Sequence, residues 1–80
     1  MNLEILTPEK TLYKGEIESI QVPGSKGSFT VLHNHAAIIS TLTKGKIIFE
    51  SKQSKDEVIE IEGGIIEVKK NNIIVLADIA

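Results

Sequence analysis

The two histidines of the chain lie two residues apart, in the segment His33-Asn34-His35. Residues two apart on a strand share one face, so both imidazoles could approach a single metal ion. Zinc takes three or four protein ligands, and the chain has no third histidine and no cysteine, so only carboxylates could complete such a site. We therefore predict no metal and no other cofactor, and we interpret the histidines as part of a surface loop.

The segment Pro23–Ser28, with the sequence PGSKGS, resembles a phosphate-binding loop only superficially. Such a loop has the spacing G-x-x-x-x-G-K-[ST] and leads into a helix whose N-terminus binds the phosphate, and the sequence predicts neither feature here. A plain β-turn fits better. Pro23 would set φ at the first central position of a type II turn, and Gly24 would take the positive φ at the second. We predict that Gly27 supplies another position of unusual backbone conformation.

The arrangement of polar residues does not indicate catalysis. Ser28 precedes His33 and His35 in the sequence, but no spacing rule makes a nucleophile and base of them, and no third group is placed to orient the base. We predict that the chain is not an enzyme.

The charge pattern excludes several classes of partner. Nine basic and eleven acidic residues are interspersed and give a net charge of −2, so no basic stripe suggests nucleic acid or anionic lipid. The apolar runs are far shorter than the ~20 residues of a membrane span, and the first residues do not resemble a signal peptide. We expect membrane contact only through partner proteins.

Apolar and polar residues alternate in short segments along the chain. β-branched isoleucine and valine dominate the apolar residues and favour strands. Period-2 segments are Asn2–Leu6, Phe29–Val31, Lys46–Glu50 and Glu57–Glu62, and the apolar segments Ile65–Val68 and Ile73–Ala77 are also predicted as strands. Because Gly, Pro or Asn bounds most of them, we predict an all-β fold: a small flattened sandwich or barrel of about eight to ten short, mostly antiparallel strands, with residues 1–80 as one domain.

Several turns and one irregular strand follow from local sequence. Lys14-Gly15 and Gly63-Gly64 predict changes of chain direction, and the two asparagines of Lys69–Asn72 predict a hairpin. The segment Glu16–Val22 is predicted as one strand. Its apolar positions change parity, which indicates a bulge or twist near Glu18-Ser19.

The stretch from His33 to Thr43 has no clean period and is either an irregular loop or a short strand. Within it, Ala36–Ile39 places four apolar residues together. They are either core or an exposed docking patch, and the sequence leaves both open.

Two motifs in this order resemble the N-terminal β-sandwich domain of the epsilon subunit of F-type ATP synthase. The first is Val22-Pro23-Gly24-x-x-Gly27-x-Phe29-x-Val31-Leu32-x-x-His35-Ala36. The second runs from Gly63-Gly64-Ile65-x-Glu67-Val68 to Asn72-x-Ile74-x-Leu76-Ala77-Asp78-x-Ala80. The family usually has glycine at the position of Thr30 and proline at those of His33 and Ala37, so this loop is expected to be less rigid.

The resemblance implies a non-catalytic rotor subunit of a proton-translocating enzyme. Such a subunit links the membrane ring of c subunits to the gamma subunit, and so couples proton flow to ATP synthesis. It implies a peripheral location on the cytoplasmic face of the bacterial inner membrane and a chain that is monomeric when isolated. The family usually continues into a helical hairpin that carries inhibition of ATP hydrolysis. The resemblance therefore implies either a naturally short epsilon subunit or a chain cut at the domain border.

The resemblance also assigns roles to individual positions. The predicted c-ring-facing residues are Lys26, Ser28, His33, Asn34 and His35. The predicted gamma-facing residues are Thr7, Ile39 and Leu76. The residues expected to form structural turns are Pro23, Gly24, Gly27, Gly63 and Gly64.

A free-standing β-sandwich module that binds peptide or carbohydrate is the alternative function. It would need exposed aromatic side chains or an open edge strand. The chain has only three aromatic residues, Tyr13, Phe29 and Phe49, and the two phenylalanines lie at positions predicted to face the core.

Overall fold

Nine strands make up the computed structural model, which describes residues 1–79. They are β1 (Asn2–Leu6), β2 (Thr11–Glu16), β3 (Ser19–Val22), β4 (Phe29–Val31), β5 (Ile38–Leu42), β6 (Gly45–Glu50), β7 (Glu57–Ile61), β8 (Gly63–Lys69) and β9 (Asn72–Asp78). One sheet has the order β2-β1-β9-β8-β5 and the other the order β4-β3-β6-β7. The predicted all-β sandwich is confirmed. Ala80, the last residue of the second motif, lies outside the described residues.

All strand pairs are antiparallel except β1 with β9. The parallel pair aligns Leu3 with Ile73 and Ile5 with Val75 in the middle of the five-stranded sheet. The first and last strands therefore place buried side chains next to each other in the core.

The core lies between the inner faces of the two sheets. Its buried residues are Leu3, Ile5, Ile17, Ile20, Val22, Val31, Leu42, Ile47, Phe49, Ile61, Ile66, Val68, Ile73, Val75 and Ala77. No polar or charged side chain is buried in residues 1–79. The ring of Tyr13 packs at 4.5 Å on that of Phe49, centroid to centroid. The inward-facing positions of the period-2 pattern thus form a single apolar core between the sheets, made mostly of β-branched side chains. Within the same range, no helix is long and apolar enough to cross a membrane.

The chain changes sheets where the sequence predicts a bulge. The expected single strand Glu16–Val22 is wrong, because β2 ends at Glu16 in one sheet and β3 begins at Ser19 in the other. Between them, the Ile17 amide donates to the Met1 carbonyl and the Glu18 amide to the Glu50 carbonyl, so each residue hydrogen-bonds to a different sheet. The parity change marks this crossing.

Three turn predictions need correction. Lys14-Gly15 does not turn, since β2 runs through Gly15 opposite Leu3. Gly63-Gly64 opens β8, and the bend lies one residue earlier, at Glu62. In the confirmed β8–β9 hairpin, the positive φ values belong to Lys70 and Asn71 (50° and 61°), while Asn72 already lies in β9.

The predicted type II turn at Pro23-Gly24 is wrong. Gly24 has no positive φ and forms an isolated β-bridge with Leu42. The turn lies two residues further on, with Ser25 and Lys26 as its central residues, since the Gly27 amide donates to the Gly24 carbonyl at 2.9 Å. Gly24 is required for space: an added Cβ would lie 2.6 Å from the Gly27 carbonyl oxygen and 2.8 Å from Cε1 of Phe29. The prediction for Gly27 is confirmed by its φ of 127°.

Candidate interaction surfaces

The outer face of the five-stranded sheet carries four large apolar side chains exposed to solvent. Ile39 is 67% exposed, Leu76 51%, and Ile65 and Ile74 37% each. Ile65 lies directly opposite Leu76 in the β8–β9 register, and Ile39 and Ile74 belong to the next row. We call these four residues the apolar face. A contiguous apolar patch of this kind marks an interaction surface.

Thr7 lies at the rim of the apolar face. It is half-buried just after β1 and lines a groove with Ile65 and Leu76. Its backbone amide and its hydroxyl both donate to the Lys10 carbonyl at 2.9 Å, which fixes the turn between β1 and β2. The structure therefore brings Thr7, Ile39 and Leu76, which are far apart in sequence, onto one surface.

Sequence reasoning missed Ile65 and Ile74 as members of this surface. The available signal was the run Ile73–Leu76, which is apolar at inward and outward positions alike. A strand with one solvated face alternates, whereas a strand that is apolar on both faces indicates that both are covered. The run indicates a second contact surface.

The apolar face carries one carboxylate within it and a second at its edge. Glu67 lies directly between Ile39 and Ile74 in the strand register, and Asp78 lies at the far end of β9. Both are exposed. The ion pairs found among residues 1–79 join the Met1 ammonium to Glu16 and Lys44 to Glu62, so Glu67 and Asp78 take part in neither.

The sequence left open whether Ala36–Ile39 is core or an exposed docking patch, and the structure shows a part of each. Ile38 is half-buried and packs on the core, whereas Ala36, Ala37 and Ile39 are exposed. The irregular segment ends at Ala37, where β5 begins with Ile38.

The predicted c-ring-facing residues fall into two loops, one on each side of β4. Lys26 and Ser28 are exposed in the β3–β4 loop. The adjacent Ser25 anchors this loop to β5, since its amide donates to the Thr41 carbonyl at 2.9 Å and its hydroxyl accepts from that of Thr41 at 2.8 Å. We call this the serine loop.

The second loop carries His33, Asn34 and His35, and we call it the histidine loop. Asn34 has a φ of 63°, and its amide donates to Oδ1 of Asn71 at 2.8 Å. Nδ1 of His35 lies 2.7 Å from the Ala36 carbonyl oxygen, whereas His33 is exposed. No cluster of three or more metal-ligating side chains occurs in residues 1–79.

β4 is the edge strand of the smaller sheet, and its three residues span only about 7 Å. The two loops that flank it therefore lie close together along one edge of that sheet. The structure gives no hydrogen bond between Ser28 and either histidine among the described side chains. The surfaces are therefore a polar edge and an apolar face, which together define a β-sandwich interaction domain.

The family follows from comparison with known sequences. Residues 1–80 match the family model described as ATP synthase, Delta/Epsilon chain, beta-sandwich domain, and the chain belongs to this family. The resemblance inferred from the two motifs is thereby confirmed.

Curated relatives include ATP synthase epsilon chains of two bacterial genera. The chain from Leptospira borgpetersenii serovar Hardjo-bovis is 46% identical over 98% of this chain and 61% of its own length. One from Campylobacter jejuni is 43% identical over 96% of this chain and 60% of its own. This chain thus spans about three fifths of the length of the relatives it matches.

Solved structures share the fold. A chain in the Euglena gracilis mitochondrial ATP synthase (OSCP/F1/c-ring) superposes with a TM-score of 0.86 at 21% identity, covering 94% of this chain and 48% of its own. A chain in the central stalk/c-ring of the Tetrahymena thermophila enzyme gives 0.77 at 18% identity, covering 96% and 62%.

Proposed function

We propose that this domain belongs to a non-catalytic central-stalk subunit of a proton-translocating F-type ATP synthase, where it links the c-ring to gamma and couples proton flow to ATP synthesis. The observation that carries the proposal is the apolar face, which gathers Thr7, Ile39 and Leu76 on a chain of the epsilon family. Bacterial epsilon chains among the relatives support a peripheral position on the cytoplasmic side of the bacterial inner membrane.

The apolar face is the proposed gamma-binding surface. Ile39 and Leu76 are more than half exposed, and burial of such a side chain stabilises a complex by up to about 1.5–3 kcal/mol. Because the side chains stand on three neighbouring strands, the contact would rest on a rigid sheet and could transmit torque.

The serine and histidine loops form the proposed c-ring contact. Their exposed polar side chains suit the polar loops of a membrane ring. Individual contacts of this kind contribute only about 0–1 kcal/mol, so both loops would have to engage together. In this proposal the catalytic sites lie on other subunits.

The free-standing binding module has weaker support. Both sheets have edge strands, as any open sandwich does, so only the aromatic side chains test this alternative. Phe49 is buried, and Tyr13 and Phe29 are half-buried against the core, so none of the three aromatic side chains forms an exposed platform.

Reconstitution tests the proposal. ATP synthase depleted of its epsilon subunit is mixed with the 80-residue chain, and ATP-driven proton pumping into vesicles is recorded together with capture of gamma by the tagged chain. We expect gamma to be captured and pumping to recover. Failure of either, with a chain shown to be folded by circular dichroism, would contradict the proposal.

A further inference from the structure

Glu67 places a carboxylate in the middle of the apolar face. Its neighbours in the strand register are Ile39 on β5 and Ile74 on β9, and the three share a shallow groove with Ile65 and Leu76. A partner that covers these side chains necessarily covers Glu67 as well. Removing a carboxylate from water without a counter-charge is costly, so an entirely apolar partner would bind poorly.

The remaining charges on this face do not neutralise Glu67. Glu4 faces Lys14 across β1 and β2, and Asp78 adds a second carboxylate beside Leu76. Lys69 lies two residues along β8, on the hairpin side, and makes no ion pair with Glu67. Each of the two grooves that meet at Ile65 and Leu76 therefore has one acidic residue in its lining, Glu67 in one and Asp78 in the other, and neither has a basic one.

We propose that Glu67 is a specificity-determining residue of the apolar face, which receives a lysine or arginine from an otherwise apolar surface of the partner. The inference rests on the proposed function, which makes gamma that partner. Charged pairs at a desolvated interface select partners and fix their register, because the wrong partner leaves a charge unpaired.

A second copy of this chain is the disfavoured occupant. A twofold contact through the apolar face would bring Glu67 and Asp78 of one copy close to the same carboxylates of the other. Like charges at an interface are repulsive, so the acidity of the face opposes self-association and favours a basic partner.

The test measures affinity for the cognate gamma subunit for the wild-type chain, Glu67→Gln and Glu67→Lys. Glu60→Gln and Glu60→Lys are the matched controls, since Glu60 is an exposed glutamate on β7 of the other sheet. Thermal unfolding of each variant checks the fold, and exposed positions should change it little. Binding at low and high salt separates charge from packing.

We expect Glu67→Gln to weaken binding by about fivefold or more and to flatten its salt dependence, and Glu67→Lys to weaken it further. The Glu60 variants should stay within about twofold. A smaller loss for Glu67→Gln, or equal losses at both positions, would overturn the inference while leaving gamma binding intact. Dimerisation of the wild-type chain through this face would also overturn it. If the folded wild-type chain does not bind gamma at all, the proposed function itself is wrong and the inference fails with it.

Discussion

Asn34 and Asn71 hydrogen-bond to each other reciprocally across 37 residues of sequence. The Asn34 amide donates to Oδ1 of Asn71 at 2.8 Å, and Nδ2 of Asn71 donates to Oδ1 of Asn34 at 3.1 Å. Both residues have the positive φ that asparagine tolerates, 63° and 61°. The pair ties the histidine loop to the β8–β9 hairpin, in a segment where the family usually has prolines.

Substitution of Asn34 or Asn71 should show how much their hydrogen bonds contribute to the stability of the fold. Asn71→Gly keeps the left-handed conformation but loses both hydrogen bonds, so we expect a loss of about 1 kcal/mol in the free energy of unfolding. Asn34→Gly keeps the backbone amide that donates to Oδ1 of Asn71 and loses only the hydrogen bond to its own Oδ1, so it should cost less than Asn71→Gly. The double variant should cost little more than Asn71→Gly alone, because Asn71→Gly already removes both hydrogen bonds. Urea unfolding measures all three. Additive losses would show that the two asparagines act independently.

Gly64 should be more sensitive to substitution than its neighbour Gly63. An added Cβ on Gly64 would collide with the Leu76 carbonyl and lie 3.1 Å from Cα of Ala77, both in backbone that is paired to β8. On Gly63 the nearest atom would be the Leu42 carbonyl oxygen at 3.5 Å, an ordinary contact. We expect Gly64→Ala to lose about 2 kcal/mol or more of stability and Gly63→Ala less than about 1 kcal/mol. Equal melting temperatures for the two variants would contradict the contact argument.

The sequence was sufficient for the fold because the alternation of β-branched residues is a local signal. It was insufficient where one sequence feature has two possible structural causes. Pro23-Gly24 predicts a glycine-dependent turn, yet the requirement at Gly24 is space beside Phe29, and only the folded path shows this. The parity change near Glu18 likewise fits a bulge or a change of sheet.

The candidate site depends on long-range pairing, which the sequence does not contain. Alternation alone makes Glu67 an ordinary outward-facing residue. Only the registers of β5 with β8 and of β8 with β9 place it between Ile39 and Ile74. The family resemblance assigned Ile39 and Leu76 to the contact surface, and the strand pairing adds Ile65, which lies opposite Leu76.

Ile39→Asp should weaken gamma binding without unfolding the chain. Ile39 is 67% exposed, so an aspartate there keeps its hydration in the free chain and loses it only in the complex. We expect a loss of about tenfold or more in affinity, with an unchanged β-type circular dichroism spectrum. Val58→Asp is the control, because Val58 is 48% exposed on the other sheet. Equal effects at both positions would show that gamma does not bind through the apolar face.

This polypeptide should support the coupling of proton flow to ATP synthesis without inhibiting ATP hydrolysis. The family resemblance assigns inhibition to a helical hairpin that follows the sandwich, and residues 1–79 contain strands and no helix. The proposed coupling surfaces, by contrast, are all present: the apolar face on one sheet and the serine and histidine loops on the edge of the other. A polypeptide of residues 1–80 should therefore join the rotor without blocking its reverse rotation.

The measurement uses epsilon-depleted ATP synthase in vesicles, with ATP hydrolysis and proton-driven ATP synthesis recorded as the 80-residue chain is added. We expect synthesis to recover in proportion to bound chain while hydrolysis stays at its uninhibited rate. Ile39→Asp provides the internal control, because it should lose recovery of synthesis at concentrations where the wild-type chain saturates. If the wild-type chain strongly inhibits hydrolysis, the sandwich itself restrains the motor, and the assignment of inhibition to the hairpin alone is wrong for this protein.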